Sequence, residues 1–389
     1  MSAVIIRGDG SPSSKREGNA REDKKKLIAR IWAARSGIAL GCFLAVMTVN
    51  ATAKAQVAPA FLEEGKDQPA ELPLLAYHPL PASPPKDAGY VLPDGTIRIV
   101  GFDDMEGMIS RLNALFTQTH PGTKFRYVKS NSYGALHSLM WDSTAFAPMA
   151  LDYQSNLIYT DIVHGPSFAI RVAHASLTTG AKLSPIAVVV NKSSPINTLS
   201  IAQLTSIFTE PLRRHIYSHW GQLGVKGELA AEPIRPCGLP WSDHYPSQDP
   251  TFGEYVFTRK LGGGQPVVNY QMFPTYAAVL RNVVSDPLAI GLIAANEVTA
   301  EVKVVSVKGG DLSGPARPST AEIHSGHYPL DRYLYLYGRV VSGKPFDPFV
   351  KEYMRMVLSK EGQQIVSSDD HGYIPLNPLE AADDLATLQ

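Results

Sequence analysis

The positions of apolar and polar residues after residue 95 predict alternating strands and helices. Thr96–Val100 alternates between the two kinds of side chain, which predicts a strand. Between Asp104 and His120 the apolar residues recur at intervals of three and four, which predicts a helix. A further strand, helix and strand are predicted at 124–128, 133–140 and 145–149. This order is typical of an open, mostly parallel sheet.

The rest of the chain continues the alternation. Strands are predicted at 168–172, 185–190, 234–237, 288–294, 302–307 and 331–337, and helices at 201–208, 252–260, 275–284, 346–358 and 362–366. At 389 residues the chain is too long for one compact core. We therefore predict an α/β fold with two lobes, each a mostly parallel sheet flanked by helices.

The first 55 residues differ from the rest. They are basic, they contain the uncharged apolar run Ile38–Val49, and they end on the small-residue site Ala53-Lys54-Ala55. These three features are typical of a secretory signal peptide, so we expect residues 1–55 to be removed and the mature protein to be periplasmic. An uncleaved anchor is the alternative, although the run is shorter than the ~20 residues that cross a bilayer comfortably. Lipidation of Cys42 is disfavoured, because the residues before it depart from the usual lipobox.

Removal of this leader, with its ten basic and four acidic residues, changes the charge of the protein. The whole chain has 36 residues of each sign, so 26 basic and 32 acidic ones remain, a net charge of about −6. No block of Lys and Arg is left, which argues against nucleic acid as a partner. Cys237 is then the single cysteine, so no internal disulfide forms, and we expect it to be a buried small apolar residue.

Proline dominates the segment that follows the leader. Seven prolines fall between Pro69 and Pro93, and Pro84-Pro85 bars regular secondary structure. We therefore predict that residues 56–94 form an extended tether, which either holds the folded part away from the membrane or wraps its surface.

Ligands of open α/β sheets lie beyond the carboxyl ends of the strands. That rule selects the loops Gly101–Met105 and Ser130–Gly134 and the residues after Met149. The first two loops precede predicted helices, where backbone N–H groups bind anions well. Ordinary turns that cap helices explain the same residues from spacing alone.

Enzyme signatures are absent. The chain has no G-x-S-x-G, G-x-x-x-x-G-K-[ST] or H-E-x-x-H sequence. His324 and His327 lie in a Gly/Ser-rich loop without a neighbouring cysteine, which favours a structural role over metal binding. We therefore expect no enzyme, no metal and no cofactor. A phosphoester hydrolase built on Asp103, Asp104 and a histidine is the enzymatic alternative, and only the acid pair supports it.

Several stretches between Thr96 and Pro378 carry a family resemblance. In order they are Ile99–Met105, Ser132–Leu136, Phe146–Met149, Pro185–Asn191, Leu199–Phe208 with Trp220 beyond it, Asp286–Leu292, Gly326–Tyr337 with its Y-P-L-x-R pattern, and Gly372–Leu376. Their order and spacing resemble the periplasmic phosphate-binding proteins, a branch of the type II solute-binding fold whose members serve ABC importers.

The resemblance implies two lobes joined by a hinge, with the ligand enclosed between them. One lobe would combine 95–182 with 302–380, and the other would span 183–301. The implied partners are a small anionic ligand and the membrane subunits of an ABC importer, with the protein itself a monomer. The site residues that it implies are Phe102, Asp103, Asp104, Ser132, Tyr133, Gly134, Pro148, Met149, Arg235 and Gly238. In this site Ser132 would donate to the anion, Arg235 would balance its charge, and an aspartate would accept a hydrogen bond from a protonated ligand.

The sequence departs from the family where the ligand would bind. The family's Ser-Gly-Thr is missing after Arg235, and Thr251-Phe252 follows only after a longer loop. Ala150 and Leu151 stand where an arginine would follow Pro-Met. Phosphate or a related oxyanion is the expected ligand. The alternatives are an organic ligand lined by Trp241, Tyr133 and Phe102, a sensor or adhesion module without transport, and for Arg235 a surface or interlobe salt bridge.

Overall fold

The computed structural model describes residues 73–151, 167–210, 216–242, 244–262, 264–309 and 313–388, all within one structural unit. The predicted signal peptide and residues 56–72 of the predicted tether lie outside these ranges. Among the described residues, no helix combines the length and the apolar character that crossing a bilayer requires.

The strands and helices follow the predicted order closely. The strands are β1 Ile97–Phe102, β2 Phe125–Ser130, β3 Ala147–Met149, β4 Ser167–Ser176, β5 Ile186–Asn191, β6 Thr198–Ser200, β7 Thr209–Glu210, β8 Arg235–Gly238, β9 Gln265–Pro266, β10 Gln271–Met272, β11 Ala289–Ala294, β12 Val302–Lys308, β13 Pro315–Ala316, β14 Tyr333–Arg339 and β15 Tyr373–Pro375. The α-helices are α1 Glu106–Thr119, α2 Ser132–Met140, α3 Ile201–Phe208, α4 Tyr276–Ser285, α5 Thr320–His324, α6 Pro348–Val357, α7 Lys360–Ser367 and α8 Pro378–Thr387, with 3-10 turns at Asp103–Met105, Trp220–Leu223, Glu228–Ala231 and Ala295–Glu297 and a π-helix at Glu254–Lys260.

The first hydrophobic core forms around β1, α1, β4, β14 and the helices α6 to α8. Alternate residues of β1, such as Ile97 and Ile99, point into it, because side chains on a strand alternate between its two faces. One stripe of α1 that includes Leu112 and Phe116 packs on the same side. β1 and β2 pair in parallel, as a strand–helix–strand unit requires.

The second hydrophobic core contains β5, β8, β11, β12, α3 and α4. Every residue of β11 is buried, as are the first five of β5, which matches the continuous apolar runs expected of strands covered on both faces. Cys237 in β8 is fully buried here as predicted, and burial raises the pKa of its thiol to about 12.

The α/β class is confirmed, but the strand directions differ from the predicted mostly parallel sheets. The four-stranded sheet, in the order β15-β4-β14-β3, is antiparallel throughout. β5 also runs antiparallel to both of its neighbours, β11 and β12. The cause is the path of the chain: β4 leads out of the first core and β14 leads back into it, so these neighbours run in opposite directions.

The predicted boundaries of the two lobes stay a prediction, which the two cores allow us to refine. Leu183 belongs to the first core and Ile186 to the second, so the chain leaves the first core between them. The predicted first lobe includes 302–308, yet β12 pairs with β5 inside the second core's sheet. We propose that the chain returns between Leu330, in the second core, and Leu334, in the first.

The part of the predicted tether that the structure describes, residues 73–94, lies on the first core without regular secondary structure up to Tyr90, and we call it the strap. The buried carboxylate of Glu352 in α6 accepts hydrogen bonds from Tyr77 Oη and from Leu80 N, each at 2.9 Å. In return the strap's Leu75 carbonyl accepts from Lys360 N at 2.7 Å. The strap therefore belongs to the folded protein and satisfies a carboxylate that would otherwise be buried with fewer donors.

Tyr77→Phe removes the hydroxyl that donates to Glu352. We expect the free energy of unfolding to fall by about 1–2 kcal/mol, because the lost hydrogen bond has a charged, buried acceptor. Urea unfolding followed by circular dichroism measures this, and Tyr245→Phe is the matched control, since the Tyr245 side chain is exposed. Equal stability of the two variants would show that the strap contributes nothing through Tyr77.

Candidate ligand-binding site

A cavity of about 300 Å³ lies where the chain returns from the second core to the first. Its lining comes from the end of β3, from the π-helix and from the segment that opens β14. The lining residues are Ala150, Leu151, Tyr255, Arg259, Lys260, Asp331, Arg332, Tyr333 and Tyr335. The cavity thus draws on both cores, and its volume is at the lower end of the range typical of small-molecule sites.

The described residues that line this cavity include three cations, Arg259, Lys260 and Arg332, and one acid, Asp331. Lys260 Nζ lies 5.6 Å and Arg332 Cζ lies 5.0 Å from the centre of the Tyr255 ring, so both cations make cation–π contacts with this one aromatic ring. Arg259 Nε lies 4.0 Å from Glu254 Oε1 on the same π-helix. Cationic side chains on a concave surface attract small anions.

Arg332 is buried and forms an ion pair with Asp249, at 2.6 Å between Nη1 and Oδ2. The same carboxylate accepts from Tyr276 Oη at 3.0 Å and from Thr251 Oγ1 at 2.6 Å. Burial by itself would raise the pKa of Asp249, but the Arg332 guanidinium and the Thr251 hydrogen bonds outweigh burial and hold that pKa below its ordinary value. Arg332 therefore has its counter-ion within the protein.

Asp331, the neighbour of Arg332, connects the cavity wall to the first core. Its Oδ2 lies 2.7 Å from Nδ1 of His174, a fully buried residue of β4. His174 Nε2 lies 2.8 Å from Glu380 Oε2, and Tyr333 Oη donates to Glu380 Oε1 at 2.7 Å. Burial opposes the charge on His174, yet the two flanking carboxylates prevail and raise its pKa to about 9. The two carboxylates therefore favour the charged form of this buried imidazole.

The two acids of the first predicted loop bind the protein itself. Asp104 is buried, and its Oδ2 accepts from Lys182 N at 2.8 Å and from Tyr373 Oη at 2.9 Å. Asp103 pairs with the Lys182 ammonium group, and the Phe102 carbonyl accepts from a tyrosine hydroxyl. The loop is thus tied to the segment through which the chain leaves the first core.

The second and third predicted loops lie next to each other. The buried Ser132 Oγ accepts a hydrogen bond from Ala150 N at 3.0 Å, which joins the start of α2 to the residue after β3. Gly134 N donates to Asn131 at the helix N-cap, and a Cβ at Gly134 would collide with a neighbouring hydroxyl. Tyr133 packs against a small cluster that contains Met149. Pro148 and Met149 form β3 and pair with β14.

Arg235 and Gly238 stand at opposite ends of β8. Arg235 Nη1 lies 3.0 Å from Asp286 Oδ2, a half-exposed ion pair within the second core's own surface. A strand rises about 3.3 Å per residue, so Arg235 is roughly 10 Å from the carboxyl end where ligands of a sheet bind. The salt bridge matches the alternative interpretation of Arg235. Gly238 is required because a Cβ there would collide with Tyr270 Oη.

None of the ten predicted site residues lines the cavity of Arg259 and Lys260. Their contact with a ligand stays a prediction. Two of them adjoin the lining residue Ala150: Met149 precedes it in the chain, and Ser132 accepts a hydrogen bond from its backbone N–H. Sequence reasoning missed Arg259 and Lys260, which it treated only as the end of a helix. The sequence did contain a signal for Arg332, because this residue is the arginine of the Y-P-L-x-R pattern. Among the described residues, no group of three or more His, Cys, Asp or Glu side chains could hold a metal ion.

Comparison with known proteins confirms the resemblance found in the sequence. A family model described as "PBP superfamily domain" matches residues 92–361. The phosphate-binding protein PstS of Pseudomonas aeruginosa strain PAO1 is 25% identical over 296 residues, which cover 74% of this chain and 85% of that protein. The PstS of strain UCBPP-PA14 gives the same figures.

Solved structures of similar proteins were also found. An ABC-type phosphate transport receptor from Vibrio cholerae is 16% identical, with a TM-score of 0.46, over 72% of this chain and 99% of that one. PstS from Borrelia burgdorferi is 15% identical, with a TM-score of 0.47, over 72% of this chain and 98% of that one.

Asp104→Ala tests whether the buried acid has a structural role. We expect the free energy of unfolding to fall by about 2–4 kcal/mol, because Lys182 N and Tyr373 Oη lose their shared acceptor inside the protein. Asp103→Ala is the control, since its pair with Lys182 is partly exposed and is worth at most about 1 kcal/mol. Unchanged stability combined with weaker ligand binding in Asp104→Ala would instead support the predicted ligand contact.

The raised pKa of His174 predicts a stability that depends on pH. A group whose pKa is about 9 in the folded protein and 6.5 when unfolded stabilises the fold below pH 6.5, and this contribution is lost as the pH rises through 9. We expect the free energy of unfolding to decrease by about 3 kcal/mol over that interval, on 1.36 kcal/mol per pKa unit.

Urea unfolding between pH 6 and pH 9.5 measures the effect of His174. The variant His174→Gln should lose this part of the pH dependence, whereas His78→Gln, at an exposed position, should keep it. The same pH dependence in His174→Gln as in the native sequence would contradict the assignment.

Proposed function

The chain belongs to the PBP superfamily, and from that premise we propose that it is an exported solute-binding protein that captures a small anion for an ABC importer. The observation that carries the proposal is the cavity lined by Arg259, Lys260 and Arg332, to which both cores contribute. Phosphate or a related oxyanion is the proposed ligand, because the curated relatives are phosphate-binding proteins. The family is a binding family rather than an enzyme class, and we propose no catalytic step.

The chemistry of capture follows from the lining of the cavity. Arg259 and Lys260 both lie in the last turn of the π-helix and both line the cavity, so the two cations border the same space. Charge-assisted hydrogen bonds from such groups are the strong kind that an oxyanion recruits. Ala150 and Leu151, which follow β3, contribute to the lining from a distant part of the chain. An anion in this cavity would stabilise a closed arrangement of the lobes, which an importer can distinguish from the open one.

The proposed location and partners rest on the leader and on the relatives. The leader is typical of secreted proteins, and the mature chain would act in the periplasm as a monomer that docks on importer membrane subunits. An organic oxyanion is a second candidate ligand, favoured by the three tyrosines of the cavity, Tyr255, Tyr333 and Tyr335.

Titration of the mature protein, from Gln56 onward, with phosphate, sulfate and phenylphosphonate tests the proposal. We expect phosphate to raise the melting temperature as its concentration passes Kd. Arg259→Ala and Lys260→Ala should each weaken that Kd about tenfold or more, since each removes a charged donor. Arg235→Ala is the matched control and should leave the Kd within about twofold, because this arginine pairs with Asp286 away from the cavity.

Other outcomes of this titration separate the alternatives. A response to phenylphosphonate alone would favour the organic ligand. If none of the three anions raises the melting temperature, capture of an anion is refuted. The sensor or adhesion module without transport is then the favoured function.

A further inference from the structure

Four donors converge on the carboxylate of Asp249. Thr251 supplies its backbone N–H at 3.0 Å and its hydroxyl at 2.6 Å, both to Oδ1. Tyr276 Oη at 3.0 Å and Arg332 Nη1 at 2.6 Å donate to Oδ2. The carboxylate is buried, with a side chain only 10% exposed. Each oxygen of the carboxylate therefore accepts two hydrogen bonds from protein groups.

These donors are of the kinds that hold a bound oxyanion. A guanidinium, two hydroxyls and a backbone N–H are the groups from which proteins build sites for carboxylate and phosphate. They also come from three separate parts of the chain: the loop at 249–251, the first residue of α4, and the residue that precedes β14. A simple ion pair would need Arg332 alone.

The donors are held in place by contacts that do not involve the Asp249 side chain. The Tyr276 ring is buried and lies edge-on to Phe252 at 6.3 Å, and Tyr276 N donates to Gln248 Oε1 at 2.9 Å. The Arg332 guanidinium lies over the Tyr255 ring. Gln248 N also donates to a carbonyl before α4 at 2.9 Å, which fixes the loop itself. The arrangement of donors should therefore outlast the loss of the carboxylate.

We infer that the second core contains an oxyanion cradle, formed by Thr251, Tyr276 and Arg332, which the protein fills with its own Asp249. An external carboxylate or phosphate group occupies this cradle when the side chain of Asp249 is removed. Arg332 also lines the neighbouring cavity, but its ion pair with Asp249 already neutralises its charge there. A ligand of the cavity thus depends on Arg259 and Lys260, while the cradle is closed to it.

Asp249→Ala with formate as the probe tests the cradle, since formate restores the carboxylate that the substitution removes. We expect the variant's melting temperature to fall by roughly 5–15 °C, because the Arg332 charge is left buried without its partner. Added formate should then raise it progressively, compared with chloride at the same ionic strength. Inorganic phosphate is the second probe, and it supports the cradle only if it raises the melting temperature of Asp249→Ala more than that of the native sequence, because phosphate is also the proposed ligand of the neighbouring cavity.

Two variants serve as controls. In Asp249→Asn the amide fills the space of the carboxylate, so the variant should be destabilised yet gain nothing from formate. In the double variant Asp249→Ala/Arg332→Met the buried charge is gone, so the rescue by formate should disappear while part of the stability returns. Rescue by formate that occurs in Asp249→Ala and in neither of these controls supports the cradle.

The inference is overturned if formate raises the melting temperature of Asp249→Ala no more than that of Asp249→Asn. If Asp249→Ala does not fold, its refolding yield in formate is compared with that in chloride, and equal yields overturn the inference as well. Binding of phosphate to the native sequence is a separate readout, so the proposed function and the cradle can fail independently.

Discussion

The placement of two adjacent residues, Asp331 and Arg332, is the constraint on which the cavity depends. Arg332 is neutralised by Asp249 of the second core, and Asp331 by His174 of the first. Each pair is buried, so neither can be broken without leaving a charge in a medium that solvates it poorly, at a cost of about 3–5 kcal/mol. The segment between the cores is thereby held from both sides. Because Asp331 and Arg332 line the cavity, this part of its wall is held in place as well.

Much of the fold could be predicted from the sequence because local patterns determine it. The helix at Ile201–Phe208 begins and ends where predicted, since Ser200 and Gln203 form a complete capping box and the apolar spacing is helical. Strand directions could not be predicted in this way. The pairing of β4 with β14 joins residues more than 150 positions apart, and alternation along one strand carries no information about which distant strand lies beside it.

The candidate site was harder to predict for the same physical reason. The loop rule placed Asp104 near a ligand, but that rule contains no knowledge of Lys182 and Tyr373, which arrive from distant segments and occupy its carboxylate. Arg235 was carried over from the family resemblance, whereas the direction of its strand decides where its side chain lies. Lys260 could not be identified as a cavity residue, because the other residues that line the cavity come from distant parts of the chain.

The strap has a consequence for the order of events during synthesis. Its hydrogen bonds to α6 join residues as far as 275 positions apart, so the partners of this early segment are made much later. The entropy of closing so long a loop must be met before these contacts form. Co-translational folding of the first core therefore stops short of completion until nearly the whole chain is available. Such a delay fits the export proposed above, in which the chain would cross a membrane before it folds.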